Sequence, residues 1–310
     1  MKTSKRLLAL CASGLIIFAA CHKDNNSTPP PTPTTPTPLQ AYIGGDTSLS
    51  IFNAAISKAG DNNLYGGSDS VTVLVPTNDA FRAAGITEST INGMSASAVD
   101  SLLRYHFINQ SANLQTGSYT SFASNLGSNV YGYGGSTDSN YFNGARSQRV
   151  DVSGSKATVY RLNTPLVIPY ATGADYLHSD TALSFFSEAL TRAGVDLAAN
   201  SGWNTVLVPT NSAFRSAGYA DLAAIDNADS ATLRNAIMYH VLPAQYFTNS
   251  YNGISTVGTS VSGSNINIGT SATGATFMGT GNTSSAGFAG RNVLAGTTTV
   301  YQPINGVLIP

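Results

Sequence analysis

The chain has 310 residues, of which 42% are hydrophobic and 10% are charged, and its formal net charge is −1. Three of its 15 basic residues and none of its 16 acidic residues lie in the first 20 positions, so the rest of the chain carries 12 − 16 = −4 charges. Binding to a phosphate backbone needs clustered Lys and Arg, and because no such cluster is visible, nucleic acid is excluded as a partner.

The first 20 residues have the layout of a secretory signal peptide. Basic residues precede an apolar run from Leu7 to Phe18, which is too short to cross a bilayer stably. The two alanines and the cysteine that follow resemble a bacterial lipoprotein cleavage site, with Phe18 where leucine is usual. We therefore expect a signal peptide at 1–20 and a lipid on Cys21 that anchors the protein to the membrane. An ordinary signal peptide cleaved near Ala20 is the alternative.

Residues 21–39 are expected to form a lipid anchor and a stalk. Ser27 to Pro38 consists almost entirely of Pro and Thr, a composition that favours extended polyproline II of about 3.1 Å per residue. The preceding Lys23-Asp24 resembles a short tag that sends some bacterial lipoproteins to the outer face of the outer membrane. We expect presentation at the cell surface. The alternative is that these residues are a plain spacer and that the protein faces the periplasm.

The next feature is an 11-residue pattern that occurs twice, at 72–82 and at 205–215, with one residue changed. Each copy has a β-branched apolar run, a proline and then polar residues that can cap a helix. This order predicts a buried strand followed directly by a helix whose phenylalanine reaches the core. Pro76 and Pro209 cannot donate to a neighbouring strand, so each is expected to end its strand.

The duplication extends over whole domains. The spacing stays near 134 residues until the last element, where the second copy is about seven residues longer. A period this long indicates tandem domains, because solenoid repeats run to roughly 20–50 residues. We predict domains at 40–170 and 178–310, joined by a connector at 171–177 that is too short for free independent motion. The matched segments are 49–60 with 183–194, Tyr105-His106 with Tyr239-His240, Thr158-Val159-Tyr160 with Thr299-Val300-Tyr301, and 166–169 with 307–310.

This combination resembles the fasciclin-like domain family. Its landmarks are a T-V-x-x-P-T-[ND]-x-A-F box, present in both copies, and a terminal N-G-V-[IL] box, which matches well at Asn305-Gly306-Val307-Leu308 and poorly at Thr164-Pro165-Leu166. The resemblance implies two α+β domains, each a twisted, mostly antiparallel β-sandwich or wedge with packed helices. It also implies adhesion or binding of an extracellular partner without turnover.

A Tyr-His pair lies between the two boxes of each copy. In animal relatives this region has been implicated in adhesion to cell receptors, so the resemblance makes both pairs candidate binding residues. The alternative is structural: each histidine hydrogen-bonds the Thr-Asn corner of the first box and locks helix to strand, since buried polar groups need partners. The candidates are Tyr105, His106, Tyr239 and His240.

The segment from Ser111 to Arg149 is rich in Gly, Ser, Asn and Tyr and is expected to be irregular. Aromatic rings exposed in loops can stack on sugar rings, which makes this segment a candidate binding surface for an extracellular glycan or protein. The alternative is that the rings pack down and cover the sheet. The candidate binding residues here are Tyr119, Tyr131, Tyr133 and Tyr141.

The sequence offers little chemistry for catalysis. Outside the signal peptide it has four histidines, and its only glutamates are Glu88 and Glu188. No H-E-x-x-H, G-x-S-x-G, P-loop or cysteine pair is present. We therefore expect no enzyme activity, no cofactor and no metal site.

The expected function is that of a non-enzymatic lipoprotein for cell-surface adhesion or ligand binding. Two alternatives are a glycan-binding accessory lipoprotein of an outer-membrane uptake system and an envelope scaffold that faces the periplasm. Four Asp-Ser/Thr triplets, at 69–71, 100–102, 180–182 and 229–231, resemble O-glycosylation sites of some Gram-negative bacteria. Helix capping explains two or three of them equally well.

Overall fold

The computed structural model describes residues 35–60, 70–135, 139–199, 202–272 and 274–310. The predicted signal peptide, the lipidation site Cys21 and most of the predicted stalk lie outside these residues. Pro36–Pro310 form one compact unit, within which the two predicted repeats are both present.

Domain 1 contains a single seven-stranded sheet of order β2-β1-β7-β6-β5-β4-β3, in which β1 and β7 run parallel and the other neighbours are antiparallel. Its helices are α1 (Pro38–Gly45), α2 (Ser50–Ala59), α3 (Asn78–Ala83), α4 (Glu88–Gly93) and α5 (Ala96–Tyr105). Its strands are β1 (Val71–Pro76), β2 (Phe107–Ile108), β3 (Tyr119–Ala123), β4 (Asn129–Gly134), β5 (Asn140–Phe142), β6 (Ala145–Asp151) and β7 (Ala157–Leu162).

Domain 2 repeats this order, but its strands form two sheets, β14-β15-β8-β9 and β10-β11-β12-β13. Its helices are α6 (Gly173–Ser179), α7 (Ser184–Ala193), α8 (Asn211–Ser216), α9 (Leu222–Asp226) and α10 (Ser230–Tyr239). Its strands are β8 (Asn204–Pro209), β9 (Val241–Leu242), β10 (Thr256–Gly258), β11 (Asn265–Ser271), β12 (Gly274–Met278), β13 (Ala286–Gly287), β14 (Val293–Ala295) and β15 (Thr299–Ile304).

Each domain has one hydrophobic core under its helices and another enclosed by its strands. In domain 1 the second core combines Leu74 of β1 with Phe122 of β3 and Phe142 of β5. Because β1 and β3 stand far apart in the strand order, the sheet must curl to bring these side chains together. The predicted α+β class with a twisted sheet and packed helices is confirmed.

The duplicated pattern forms the predicted strand-to-helix unit in both domains. β1 and β8 end at the proline, and the following threonine caps the next helix: Thr77 accepts a hydrogen bond from the Ala80 amide at 3.2 Å, and Thr210 from the Ala213 amide at 3.3 Å.

The asparagine after that threonine ties the unit to the helix that precedes it. The Asn78 side-chain oxygen accepts from the Ile51 amide at 3.0 Å, and its nitrogen donates to the Thr47 carbonyl at 2.8 Å and to the Ser50 hydroxyl at 3.0 Å. Asn211 makes the corresponding three bonds in domain 2. In each domain one asparagine side chain, buried in the case of Asn78, therefore holds the start of α2 (α7 in domain 2) against the start of α3 (α8).

Replacing Asn78 by Ala should lower the free energy of unfolding by about 2–4 kcal/mol, because the buried Ile51 amide and Thr47 carbonyl lose their partner. Chemical denaturation measures the loss. Asn163→Ala is the matched control, since Asn163 is exposed and a surface substitution of this kind changes stability by about 0.5 kcal/mol or less. Equal losses in the two variants would contradict the role assigned to Asn78.

The segment expected to be irregular, from Ser111 to Arg149, instead contains β3, β4, β5 and most of β6. Gly and Asn are poor strand formers, which is why the composition predicts an irregular segment where the protein forms strands. Gly132 shows why a glycine stands in a strand here: a Cβ at this position would overlap the Leu114 side chain. Leu114 and Phe122 approach the β4 backbone so closely that position 132 has no room for a side chain.

The strand pairing corrects the alignment of the last elements by one residue. Val159 pairs with Val73 in domain 1, and Tyr301, not Val300, pairs with the equivalent Val206 in domain 2. Leu166 therefore corresponds to Leu308, and Asn163 to Asn305. The second copy is eight residues longer, since 60 residues separate His106 from Leu166 and 68 separate His240 from Leu308.

The predicted connector at 171–177 is largely helical. It forms the start of α6, which Thr172 caps and which buries Tyr176 and Leu177 in the core of domain 2. α1 is its counterpart and begins at Pro38, inside the segment assigned to the stalk. Both domains therefore start earlier than predicted, and the chain between them is packed.

Two of the four Asp-Ser/Thr triplets do begin helical turns. Asp229 accepts a hydrogen bond from the Thr232 amide at 2.8 Å, at the start of α10, and Asp180 accepts one from the Ala182 amide at 2.9 Å. Asp100 lies inside α5 and pairs with Arg104 at 2.8 Å. The triplet at 69–71 falls partly outside the described residues.

Candidate functional site

The two histidines nominated from the sequence are buried and neutral. His106 receives a hydrogen bond on Nε2 from the Leu166 amide at 3.1 Å, so its proton lies on Nδ1, which donates to the Leu102 carbonyl at 2.8 Å. His240 makes the same bonds, from the Leu308 amide at 2.9 Å and to the Ala236 carbonyl at 2.8 Å. Burial lowers the pKa of both histidines from 6.5 to about 4.

The neighbouring tyrosines are also buried. The Tyr105 hydroxyl donates to the Asn129 carbonyl at 3.1 Å and accepts from the Asn143 side chain at 2.8 Å. The Tyr239 hydroxyl donates to the Asn265 carbonyl at 2.6 Å. Tyr105 and Tyr239 have no exposed surface, so these side chains offer nothing for an external partner to touch in this conformation.

Each Tyr-His pair therefore joins three parts of its domain. The tyrosine fixes the end of α5 or α10 to the curled sheet, and the histidine fixes it to the terminal segment at Leu166 or Leu308. The predicted contact with the Thr-Asn corner of the first box is wrong. The asparagine of that box instead holds the preceding helix, as described above.

The four tyrosines nominated from domain 1 lie together on one face of its sheet, which we call the tyrosine face (Tyr119, Tyr131, Tyr133 and Tyr141). Tyr133 of β4 pairs with Tyr119 of β3 on one side and with Tyr141 of β5 on the other. Tyr131 lies two residues before Tyr133, and alternate residues of a strand share a face. Phe122 and Phe142 occupy the opposite face, inside the core.

Domain 2 covers part of the tyrosine face. The Phe247 ring, which has no exposed surface, lies 5.1 Å from the Tyr119 ring and 6.0 Å from the Tyr131 ring. Trp203 meets Tyr131 edge-to-face at 5.0 Å. Leu294 and Val300 complete this cluster. Of the two possibilities that the sequence left open for these tyrosines, exposure or packing, Tyr119 and Tyr131 take the second, but against the other domain.

Hydrogen bonds around the aromatic contact fix its geometry. The Tyr119 hydroxyl donates to the Asn249 side chain at 2.9 Å and lies 2.8 Å from the Ser250 hydroxyl, and burial raises its pKa to about 12. The Asn292 side chain donates to the Asn143 carbonyl at 2.9 Å. At Gly144, where φ is +80°, a Cβ would overlap the Asn292 side chain. Both domains thus meet through shaped, partly polar surfaces.

Four residues of the interface have polar counterparts at the equivalent positions of the other domain. Trp203, Leu294 and Val300 of the domain 2 contact surface correspond in domain 1 to Ser70, Asp151 and Thr158. The equivalent hydroxyls of Tyr105 and Tyr239 donate to the carbonyls of Asn129 and Asn265. Tyr131 lies two residues after Asn129, so its counterpart in domain 2 is Asn267.

Tyr133 and Tyr141 lie at the edge of this interface. Both are half-buried, and their rings lie 6.3 Å from each other, while Tyr133 lies 5.1 Å from Tyr119. Among the described residues, neither ring packs against an aromatic ring of domain 2. Of the eight nominated tyrosines and histidines, these two lie outside the buried Tyr-His pairs and the aromatic cluster between the domains.

A cavity of about 630 Å³ in domain 2 was not foreseen. It lies between α6, α7, the 3₁₀ turn at Leu197–Ala199 and the turn that joins β14 to β15, and Asp196, Thr298 and Tyr301 contribute polar groups to it. The difference between Gly173 and its counterpart Leu39 is visible at the repeat spacing of 134 residues, but the sequence does not show that Tyr301 lies beside it.

Within the described ranges, no helix is long and apolar enough to cross a membrane. The same residues contain no cluster of three or more His, Cys, Asp or Glu side chains that could hold a metal ion.

Comparison with known proteins identifies the family. The fasciclin domain model matches residues 47–169 and 181–310. Among solved structures, the chain is similar to a FAS1 domain pair from the insect cell adhesion molecule fasciclin I, with 17% identity, coverage of 84% of this chain and 96% of that chain, and a TM-score of 0.42. No curated protein matches the sequence. Because the family model covers both repeats, the chain belongs to the fasciclin domain family as a tandem pair of such domains.

Proposed function

We propose that this protein is a lipid-anchored cell-surface protein that binds an extracellular partner without turnover. Fasciclin domains are generally adhesion or ligand-binding modules. The observation that carries the proposal is the joining of two such domains into one unit through the buried aromatic cluster around Phe247. A partner bound on either domain is then held by a single body instead of by two loosely linked ones.

The segment before the folded unit supports surface presentation. A lipid on Cys21 would hold the protein at a membrane, and the Pro/Thr-rich stalk that follows would keep the domain pair at a distance from it. The Lys23-Asp24 tag favours the outer face of the outer membrane. A glycan-binding accessory lipoprotein is the second candidate, favoured by the hydroxyl-lined cavity of domain 2. If Lys23-Asp24 is not a sorting signal, the protein would instead be a scaffold that faces the periplasm.

Surface labelling of intact cells tests the proposal. Biotin applied from outside should label the wild-type protein in the membrane fraction, and Cys21→Ala should release the protein from that fraction, because the lipid is its only expected anchor. A periplasmic marker protein that stays unlabelled shows that the outer membrane is intact. If the anchored protein is labelled only after lysis, adhesion is contradicted and the periplasmic scaffold takes its place.

A further inference from the structure

The cavity beside α6 is lined in part by Tyr301 of β15. Tyr301 is 3% exposed, and its hydroxyl makes no hydrogen bond with any residue that the structure describes. The hydroxyl lies at the cavity wall, where it can form a hydrogen bond with a molecule that enters the cavity.

Domain 1 shows that the fold does not need this hydroxyl. At the positions of Gly173 and Tyr301 it has Leu39 and Val159, which are both buried in its helical core. In domain 2 a Cβ on Gly173 would overlap the Tyr301 hydroxyl. The glycine at 173 therefore makes room for the tyrosine at 301. Where domain 1 packs two apolar side chains, domain 2 has a hydroxyl group at the cavity wall.

Other unused polar groups converge on the same space. One carboxylate oxygen of Asp196 accepts from the Ala198 amide at 2.9 Å, and the second oxygen bonds to no residue that the structure describes. This charge, together with burial as the larger cause, raises the pKa of Tyr301 to about 12. Thr297 and Thr298 also line the cavity, and their hydroxyls bond to no described residue.

The remaining lining decides the class of ligand. Leu177, Leu190 and Leu197 provide apolar surface. The lining contains no Lys or Arg and its only basic side chain is that of His178, so the cavity has no fixed positive charge to hold a phosphate or a carboxylate. Acceptor and hydroxyl groups on one side with apolar side chains on the other suit a molecule that has many hydroxyls and a C–H face. A volume of about 630 Å³ is within the usual range for small-molecule sites.

We infer that the cavity between α6 and β15 is a binding site for a neutral saccharide unit, held by Tyr301, Asp196 and the threonines of the β14–β15 turn. The inference rests on the proposed binding function and supplies its ligand class. It assigns recognition to domain 2, in place of the tyrosine face.

Saturation-transfer difference NMR on the mature protein tests the inference. The probes are glucose, galactose, mannose, xylose and N-acetylglucosamine at millimolar concentration, with methylammonium as a cationic probe. At least one sugar should receive saturation, and its Kd should rise at least tenfold in Tyr301→Phe and in Asp196→Asn. Tyr219→Phe is the matched control, because Tyr219 packs on Phe214 away from the cavity, and its Kd should equal that of the wild type.

Stability separates a binding role from a structural one. Tyr301→Phe should leave the melting temperature unchanged, because the hydroxyl makes no hydrogen bond with any residue that the structure describes. The inference is overturned if no sugar receives saturation, if only methylammonium does, or if Tyr301→Phe binds sugar as tightly as the wild type. Surface labelling that depends on Cys21, without sugar binding, would support the proposed function and overturn the sugar site. Sugar binding without surface labelling would support the sugar site and contradict presentation at the cell surface.

Discussion

Replacing Phe247 by Ala should split the unfolding of the domain pair into two transitions. Phe247 is fully buried, and the rings of Tyr119 and Tyr131 both pack against it. Removing a buried phenylalanine side chain costs about 3–5 kcal/mol. Here the loss falls on the contact between the domains, because Phe247 belongs to the aromatic cluster and not to the core of either domain.

The wild-type pair should unfold as one cooperative unit, because each domain would expose this apolar contact surface if the other unfolded first. Differential scanning calorimetry compares the proteins directly. In Phe247→Ala, the contact no longer offsets the difference in stability between the domains, so the less stable domain should unfold at a lower temperature than the other.

Phe277→Ala is the matched control. Phe277 is also fully buried, but it lies in the core of domain 2, where it packs on Tyr251 and Phe288. This variant should lower the melting temperature and leave the interface in place. A single shifted transition in Phe247→Ala, indistinguishable from that of Phe277→Ala, would show that the aromatic cluster does not couple the domains.

The second large effect is a loss of stability between pH 6.5 and pH 4. His106 and His240 titrate near 4 when folded, and an unfolded histidine titrates near 6.5. Above pH 6.5 neither state binds a proton, and the full stability is present. As the pH falls below 6.5, the unfolded chain takes up protons that the folded protein excludes. Stability then falls by about 1.4 kcal/mol per pH unit for each histidine.

Urea denaturation at several values between pH 5 and pH 7 measures this slope. The wild type should lose about 2.7 kcal/mol per pH unit below pH 6.5, and His106→Gln should lose about half of that, because one buried histidine remains. His178→Gln is the control, since His178 is exposed on α6, and it should keep the full slope. An unchanged slope in His106→Gln would contradict the assignment of the effect to the buried histidines.

Domain 1 does not repeat the apolar surface through which domain 2 contacts its neighbour. Ser70, Asp151 and Thr158 stand in domain 1 where domain 2 has the apolar residues that contact its neighbour. Asp151 pairs with Arg149 at 2.9 Å and accepts a hydrogen bond from Thr158 at 3.3 Å, so this surface of domain 1 is polar where domain 2 is apolar.

The sequence by itself determined the parts of this protein that depend on neighbouring residues and on repetition. The strand-proline-helix unit at 72–82 could be read from a local pattern of apolar, proline and capping residues, and its recurrence at 205–215 established two domains of one family. Burial of the Tyr-His pairs was favoured for the same reason, because a pair that recurs together with the fold suits a structural role.

Only the tertiary structure decided where the tyrosines face and what the repeats do differently. Tyr119, Tyr131 and Tyr133 stand among glycines, and nothing local distinguishes an exposed ring from one that packs on Phe247, more than a hundred residues later in the chain. Strand pairing likewise sets the one-residue shift that makes Tyr301 the counterpart of Val159, and only the packing of α6 on β15 places the Tyr301 hydroxyl beside Gly173. Contacts between residues far apart in sequence depend on register and curl of the sheet, which no local pattern records.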